Sequence, residues 1–398
     1  MKLSRFSKLF GCTLLMFSLT GCFSSHEIEE LSISVGLAID KAAKTTIEKQ
    51  LEKENGAYQK KDLITLTHQI INPKADGLEN KGGSQQKSYN NISETGDSFH
   101  QLIREVSLRN DRPIIFHHTK VIIIGEKAAR ALSLDQLLSF FFRDNEMRPS
   151  CQVFISRGIA RDLMETKKSG EIPAIRILGI ADNLYRTSRM LAPLSLVKIE
   201  SQIHSGSSFL MQNIIGRDGE IKFSGASVIN GTTNKLIGFL SEEEVEGITW
   251  LSGKGKGGVV KIHDNKTGQI IIYEAKSMQS KIIPHVANGK INSFDVKIKT
   301  DGRITENWND SNKIEEKKYH QNAEKDLEKE VKRLVMNTVE KMQGKFQVDV
   351  GGFGAQIRIK YPRLWEKVKK DWDQTFSEVP VHCKVELLIT DSGESRAH

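Results

Sequence analysis

Leu19-Thr20-Gly21-Cys22 is the run in which residue types and spacing most plainly set up chemistry. A thiol placed directly after two small residues, where an apolar stretch ends, has the pattern of a lipobox. There the cysteine of an exported bacterial protein receives a diacylglyceryl group. Lys2, Arg5 and Lys8 give the stretch a positive head, and Leu9 to Leu19 has the length of an export signal. It is too short to cross a hydrocarbon core of about 30 Å, which takes roughly 20 apolar residues. Thr20 and Gly21 let a peptidase approach the backbone. The expectation is a leader of residues 1–21, a mature chain beginning at Cys22, and lipidation of Cys22 as an anchor outside the cytoplasmic membrane. Burial of an acyl chain contributes about 0.8 kcal/mol per methylene, so one chain holds a protein marginally and two hold it stably.

Other clusters invite a chemical reading and do not complete it. Gly253-Lys254-Gly255-Lys256-Gly257-Gly258 spells GxGxxG, but a dinucleotide site needs a strand before it and a helix after. Here the helix comes first, so a flexible turn is expected. His117-His118 beside Lys120 suggests metal or acid-base work. On a regular strand adjacent side chains point to opposite faces, so the two imidazoles could not share an ion. His204 with Ser205-Gly206-Ser207-Ser208 lacks the strand-to-helix elbow of a nucleophilic serine. Glu242, Glu243 and Glu244 read as carboxylates at a helix start, favoured by the macrodipole. Cys12 leaves with the leader, and Cys151 and Cys383 sit in separate strand-like runs as buried free thiols, with no zinc spacing. No catalytic residue, metal site or cofactor is expected, and the pattern does not support an exported hydrolase.

The elements that must position these residues follow from periodicity. Residues 31–40 and 63–71 alternate as paired half-buried strands, and 72–88 has no period. Phe99, Leu102, Ile103 and Val106 make one stripe of a helix over 97–109. The run 114–125 reads as one long central strand. A helix over 134–142, a strand over 151–156, and helices over 158–167 and 173–190 follow, with Pro193 as a break. Strands are expected at 209–215, 221–230, 235–240, 258–263 and 269–275, and Ser241 with Glu244 fits a capping box. Strand-like runs at 276–286 and 290–300 precede the longest helix, 313–343. Its stripe is Leu327, Val331, Leu334, Val335, Val339 and Met342. A glycine-rich turn leads into a Trp-bearing helical region at 361–376, and strand 379–390 closes the chain.

The chain has 398 residues and 38% hydrophobic residues, enough for sizeable cores. The segments divide it into an N-terminal mixed α/β domain (22–195), a middle α+β domain (196–275) and a C-terminal α+β domain with the long helix (276–398). The fold class is mixed α+β, each domain a β-sheet packed with helices. Net charge is +8; without Lys2, Arg5 and Lys8 the 58 cations become 55 against 50 acids, a net of +5. That excess looks spread along the chain, with no dense basic block. With 7% aromatics not interleaved with a basic stripe, nucleic-acid binding is not expected.

Several segments, taken in order, resemble the Ger(x)C family of spore germination lipoproteins, the C subunits of nutrient germinant receptors. They are the lipobox with His26–Leu31 and Val35–Lys41, then Phe116–Glu126 and Phe142–Arg148. Phe223–Ala226, Lys235–Glu244, Gly247 and Trp250 follow. Gly352-Phe353-Gly354, Tyr361-Pro362, Trp365 and Trp372 close the pattern. The resemblance implies a lipid-anchored, non-enzymatic protein of three domains on the outer face of the inner spore membrane, working beside an A subunit and a transporter-like B membrane subunit. It carries over no site residue besides Cys22. The rival expectation is a solute-binding lipoprotein of an importer, which calls for two similar α/β lobes around a cleft.

Overall fold

The computed structural model describes residue 27, residues 30–43, residue 53, and residues 61–72, 87–168, 170–255, 257–309 and 317–391. Cys22, most of residues 41–62 and of the period-free run 72–88, and the first residues of the expected long helix lie outside them. The fold is mixed α+β, with strands gathered into two sheets of ten and four.

The larger sheet runs β10-β9-β8-β6-β5-β1-β2-β3. Its members are β1 (Ser32–Lys41), β2 (Ile64–Ile71), β3 (Tyr89–Gly96), β4 (Ile114–Ile115), β5 (Val121–Gly125), β6 (Gln152–Ser156), β7 (Leu194–Ser195), β8 (Phe209–Arg217), β9 (Glu220–Ile229) and β10 (Leu236–Leu240). The two-residue strands β4 and β7 pair beside β1 and β6. Its centre, β1, β5, β6 and β8, is parallel, as is the short β1–β4 pair, and the remaining pairs are antiparallel. A parallel centre needs cover on both faces. One face carries α1 (Phe99–Glu105), α2 (Glu126–Ala131), α3 (Leu134–Arg143) and α5 (Leu196–Ser205), burying Leu102, Leu137, Phe141 and Ile199 against Leu37, Ile122 and Val153. On the other, α4 (Pro173–Ala181) sets Ala174 and Ile177 against Ala38, Ile123 and Phe154.

The smaller sheet runs β11 (Val259–His263), β12 (Ile270–Ala287), β13 (Lys290–Asn307) and β14 (Val381–Asp391). Joining the sheets is α6 (Glu242–Ser252), against which lies the long helix α7 (Lys317–Glu340), extended by a π-helical turn over Lys341–Phe346. All six expected stripe residues of α7 and its extension are buried in one core with Phe294, Val296 and the α6 residues Val245 and Trp250. Then α8 (Phe353–Lys360), α9 (Pro362–Val368) and α10 (Trp372–Glu378) bring the chain back to β14, parallel to β13.

Segment 196–275 divides its strands between the two sheets: β8–β10 extend the first through the β6–β8 pairing, and β11 opens the second. The expected break at 275/276 falls inside β12. A register irregularity between Ala275 and Ser277 disturbs the alternation there, so one 18-residue strand reads as two. Strand β3 goes unread because its composition is polar. Its support is a side-chain ladder, Thr65–Thr95 and Thr67–Ser93 at 2.8 Å each and Gln69–Asn91 at 3.2 Å. The helix expected over 158–167 is a short 3-10 turn, Arg161–Met164, and that expected over 173–190 ends its α form at Ala181. The run 114–125 is two strands, not one. Lys120 N–H donates to Val35 O (2.9 Å) and Thr119 N–H to Phe116 O (2.9 Å), which closes residues 116–119 into a turn between them.

Candidate functional site

That turn carries His117, exposed, and His118, half-buried. They are not on a strand, and among the described residues no group of three or more His, Cys, Asp or Glu could hold a metal ion. The glycine run follows α6 and precedes β11, as expected for a turn, with Gly253 at φ 65° and Gly257 at φ 63°. His204 Nδ1 meets the Glu200 carbonyl oxygen at 2.7 Å. Burial pushes the Cys151 thiol up to about 12 and the Cys383 thiol up to about 11, which keeps both uncharged; both are free.

Each member of the Glu242-Glu243-Glu244 triplet has a structural partner. The Glu242 carboxylate lies 2.5 Å from Lys222 Nζ and Glu243 2.7 Å from Arg333. Glu244 closes the capping box, accepting Ser241 N–H at 2.6 Å while Ser241 Oγ accepts Glu244 N–H at 3.2 Å. Its carboxylate also receives Lys341 Nζ at 2.7 and 2.5 Å, so one side chain caps α6 and pins the end of α7. Beside them Glu246 is buried, and burial raises its carboxyl while Arg189, 2.8 Å away, opposes the shift.

A second cluster escapes sequence reading altogether. Asp349, buried, sits in the turn before α8 and accepts five N–H donors. Gly351 (3.0 Å), Gly352 (2.9 Å) and Phe353 (3.2 Å) reach Oδ1; Gly354 (2.6 Å) and Trp372 Nε1 (2.9 Å) reach Oδ2. Burial raises this carboxyl, and the backbone N–H of Gly354 leads the donors that pull it back. Asp373 continues the chain of contacts. Its Oδ1 accepts Asp349 N–H (3.0 Å), its Oδ2 accepts Ser208 Oγ–H (2.8 Å), and Ser208 Oγ in turn accepts Gly231 N–H (2.9 Å). The loops where β8 starts and β9 ends are thereby fastened to the helices of the second sheet. The one signal in the sequence is the Gly351–Gly354 run after an aspartate, which supplies free backbone amides.

Over this network lies an open groove of about 1050 Å³, between Ser205–Ser207 and Thr232 on one side and Arg358, Arg363, Trp365 and Lys370 on the other. Arg358, Arg363, Lys369 and Lys370 of its wall belong to a basic run, six of the thirteen residues 358–370 being Lys or Arg, which corrects the expectation of a charge spread with no dense block. The arrangement offers a charged surface. Among the described residues no helix is long and apolar enough to cross a membrane.

A family model described as Spore germination protein N-terminal domain matches residues 24–214, and one described as Spore germination B3/ GerAC like, C-terminal matches residues 224–393. Spore germination protein YndF of Bacillus subtilis (strain 168) is 45% identical over 385 residues, covering 96% of this chain and 95% of that protein. The chain belongs to the GerAC-like family of spore germination proteins. Spore germination protein B3 of the same organism is 30% identical over 393 residues, 98% of each chain. The crystal structure of the GerBC protein is 30% identical with a TM-score of 0.60, and the match covers 84% of this chain and 96% of that one. In this GerAC-like chain the gap between the two family models, residues 215–223, falls within the β8–β9 hairpin.

Proposed function

We propose that this chain is a lipid-anchored, non-enzymatic subunit of a nutrient germinant receptor, acting in spore germination by assembly or signalling beside an A subunit and a transporter-like B membrane subunit. The observation that carries the reading is the match to spore germination proteins over 95% or more of both lengths. The engagement of Glu242, Glu243, Glu244, Asp349 and Asp373 in structural contacts supports it, since these are carboxylates that a reacting centre would need free. A diacylglyceryl group on Cys22 holds the protein on the outer face of the inner spore membrane. Encounter with the membrane subunits then becomes nearly intramolecular, and even a weak interface is occupied.

The test is Cys22→Ala in the native host. The protein should leave the membrane fraction and nutrient-triggered germination should slow; normal germination with a soluble protein rejects the anchor's role. Detergent extracts of the wild type should co-purify the A and B subunits, and their absence rejects the subunit reading. Calorimetry with amino acids and sugars should show no tight binding. A stoichiometric complex would favour the importer's solute-binding lipoprotein instead.

A further inference from the structure

We propose that the basic face formed by residues 358–370 lies on anionic phospholipid headgroups and sets how the protein stands on the bilayer, an inference that rests on the lipidation at Cys22 proposed above. Arg358, Lys360, Arg363, Lys367 and Lys370 are exposed, and among the described residues none of them makes an ion pair. Lys369 has Glu366 at 2.5 Å, and Asp371, directly after the stretch, is also exposed. Several cations elsewhere are neutralised: Arg333 by Glu330 and Glu243, Lys341 by Glu244, Lys222 by Glu242. Between the unpaired cations stand two side chains that solvent does not favour, Ile359 at 68% exposure and Tyr361 at 36%. Aliphatic and aromatic groups set among Lys and Arg have the composition of a surface that beds into the headgroup region, apolar tips inward and ammonium groups at the phosphates.

Position makes the case. The groove places this stretch beside Ser205–Ser207 and Gly231, where β8 begins and β9 ends. Strands β8, β6, β5 and β1 are adjacent and parallel, so all four begin at one end of the sheet. Neighbouring strands lie about 4.8 Å apart, which puts the start of β1 roughly 14 Å across from that of β8. Strand β1 starts at Ser32, ten residues after Cys22, and ten residues span at most about 36 Å. The tether therefore leaves the molecule at the end that carries the basic face. Lys120 and Arg148, exposed and without an ion pair among the described residues, sit at the starts of β5 and β6 and extend the same charge. A bilayer drawn close by the anchor meets this end first.

The experiment uses the chain from residue 22 onward with Cys22→Ser, so that no acyl chain contributes, and measures its co-sedimentation with vesicles. Binding to phosphatidylglycerol/phosphatidylcholine vesicles is expected, weakened by salt, with none to phosphatidylcholine alone. Each Lys or Arg near an anionic surface is worth about a factor of five in partitioning, so R363Q/K367Q/K370Q should bind about a hundred-fold more weakly. The equal change K261Q/K266Q/K325Q, toward the other end of the roughly 36 Å α7, should leave binding unchanged. Ile359→Ser with Tyr361→Ser should weaken binding without altering its salt dependence. All the substituted residues are exposed, and matched thermal unfolding confirms the fold. Equal binding to both vesicle types overturns the proposal, as do triple variants that behave alike. So does an unbound wild type whose R363Q/K367Q/K370Q form loses the co-purifying membrane subunits, since the face would then dock protein. Mass spectrometry of the natural amino terminus decides the anchor separately, because this assay never uses it.

Discussion

His68 lies on β2 opposite Leu37 and Ile92, its ring 5.6 Å from Phe116 and fully buried. Among the described residues neither ring nitrogen has a hydrogen-bond partner, and burial lowers its pKa to about 4. Its neutral form is the folded form. Below the ordinary value of 6.5 the unfolded chain takes up a proton that the folded chain refuses, so stability falls as pH drops from 6.5 and the loss is complete near 4. One pH unit corresponds to about 1.4 kcal/mol, so the full window amounts to about 3 kcal/mol. Urea unfolding at pH 7.5, 5.5 and 4.5 should show this loss in the wild type and a flatter profile in His68→Leu. Parallel profiles would mean that His68 is not the group responsible. That 63–71 is a strand was legible from its alternation. That a histidine occupies an aliphatic position on the inward face was not, because alternation reports burial without saying whether a polar group there finds a partner.

The joint between α6 and α7 depends on a close approach that a single residue permits. A Cβ on Gly247 would lie 2.1 Å from Thr338 Oγ1 and 2.4 Å from the Leu334 carbonyl oxygen. Gly247→Ala must push the helices apart, at about 2 kcal/mol. Gly344, in the π-helical turn that extends α7, meets nothing within 4 Å. Gly344→Ala there should be neutral, or stabilising by up to about 1 kcal/mol through backbone entropy. Chemical unfolding should show a loss for Gly247→Ala and none for Gly344→Ala; equal losses would remove the steric argument. Elements of this kind were the most readable part of the chain, since the α7 stripe and the Ser241–Glu244 capping box are local patterns that tertiary contacts reinforce. Where the structure departs from the reading, a distant contact decides. Val35 draws in Lys120 and splits the run 114–125, and a side-chain ladder recruits the polar β3. The basic face follows the same rule. Its density was present in residues 358–370, but only folding shows that, among the described residues, five of its six cations make no ion pair.

Across the whole molecule the two sheets share a core. Ala226, Val228 and Leu240 of the first sheet pack in the same cluster as Trp250, Tyr273, Phe294 and Val331. The contacts Ser208–Asp373 and Glu244–Lys341 tie the same parts together at the surface of that core. Neither sheet can therefore open without exposing apolar surface of the other, and the molecule should unfold in one transition. The two buried thiols report on this directly, since Cys151 directly precedes β6 and packs in the first sheet's core, while Cys383 lies on β14 of the second sheet. Thiol labelling along a urea series, read by mass spectrometry, should give both cysteines the same midpoint. Asp373→Ala leaves the Ser208 hydroxyl and the Asp349 amide without their acceptor, which costs about 2 kcal/mol. Because the core is continuous, that loss should lower both midpoints together even though Asp373 lies in the second half. Exposure of Cys383 at a urea concentration that leaves Cys151 protected would mean that the sheets are energetically separate.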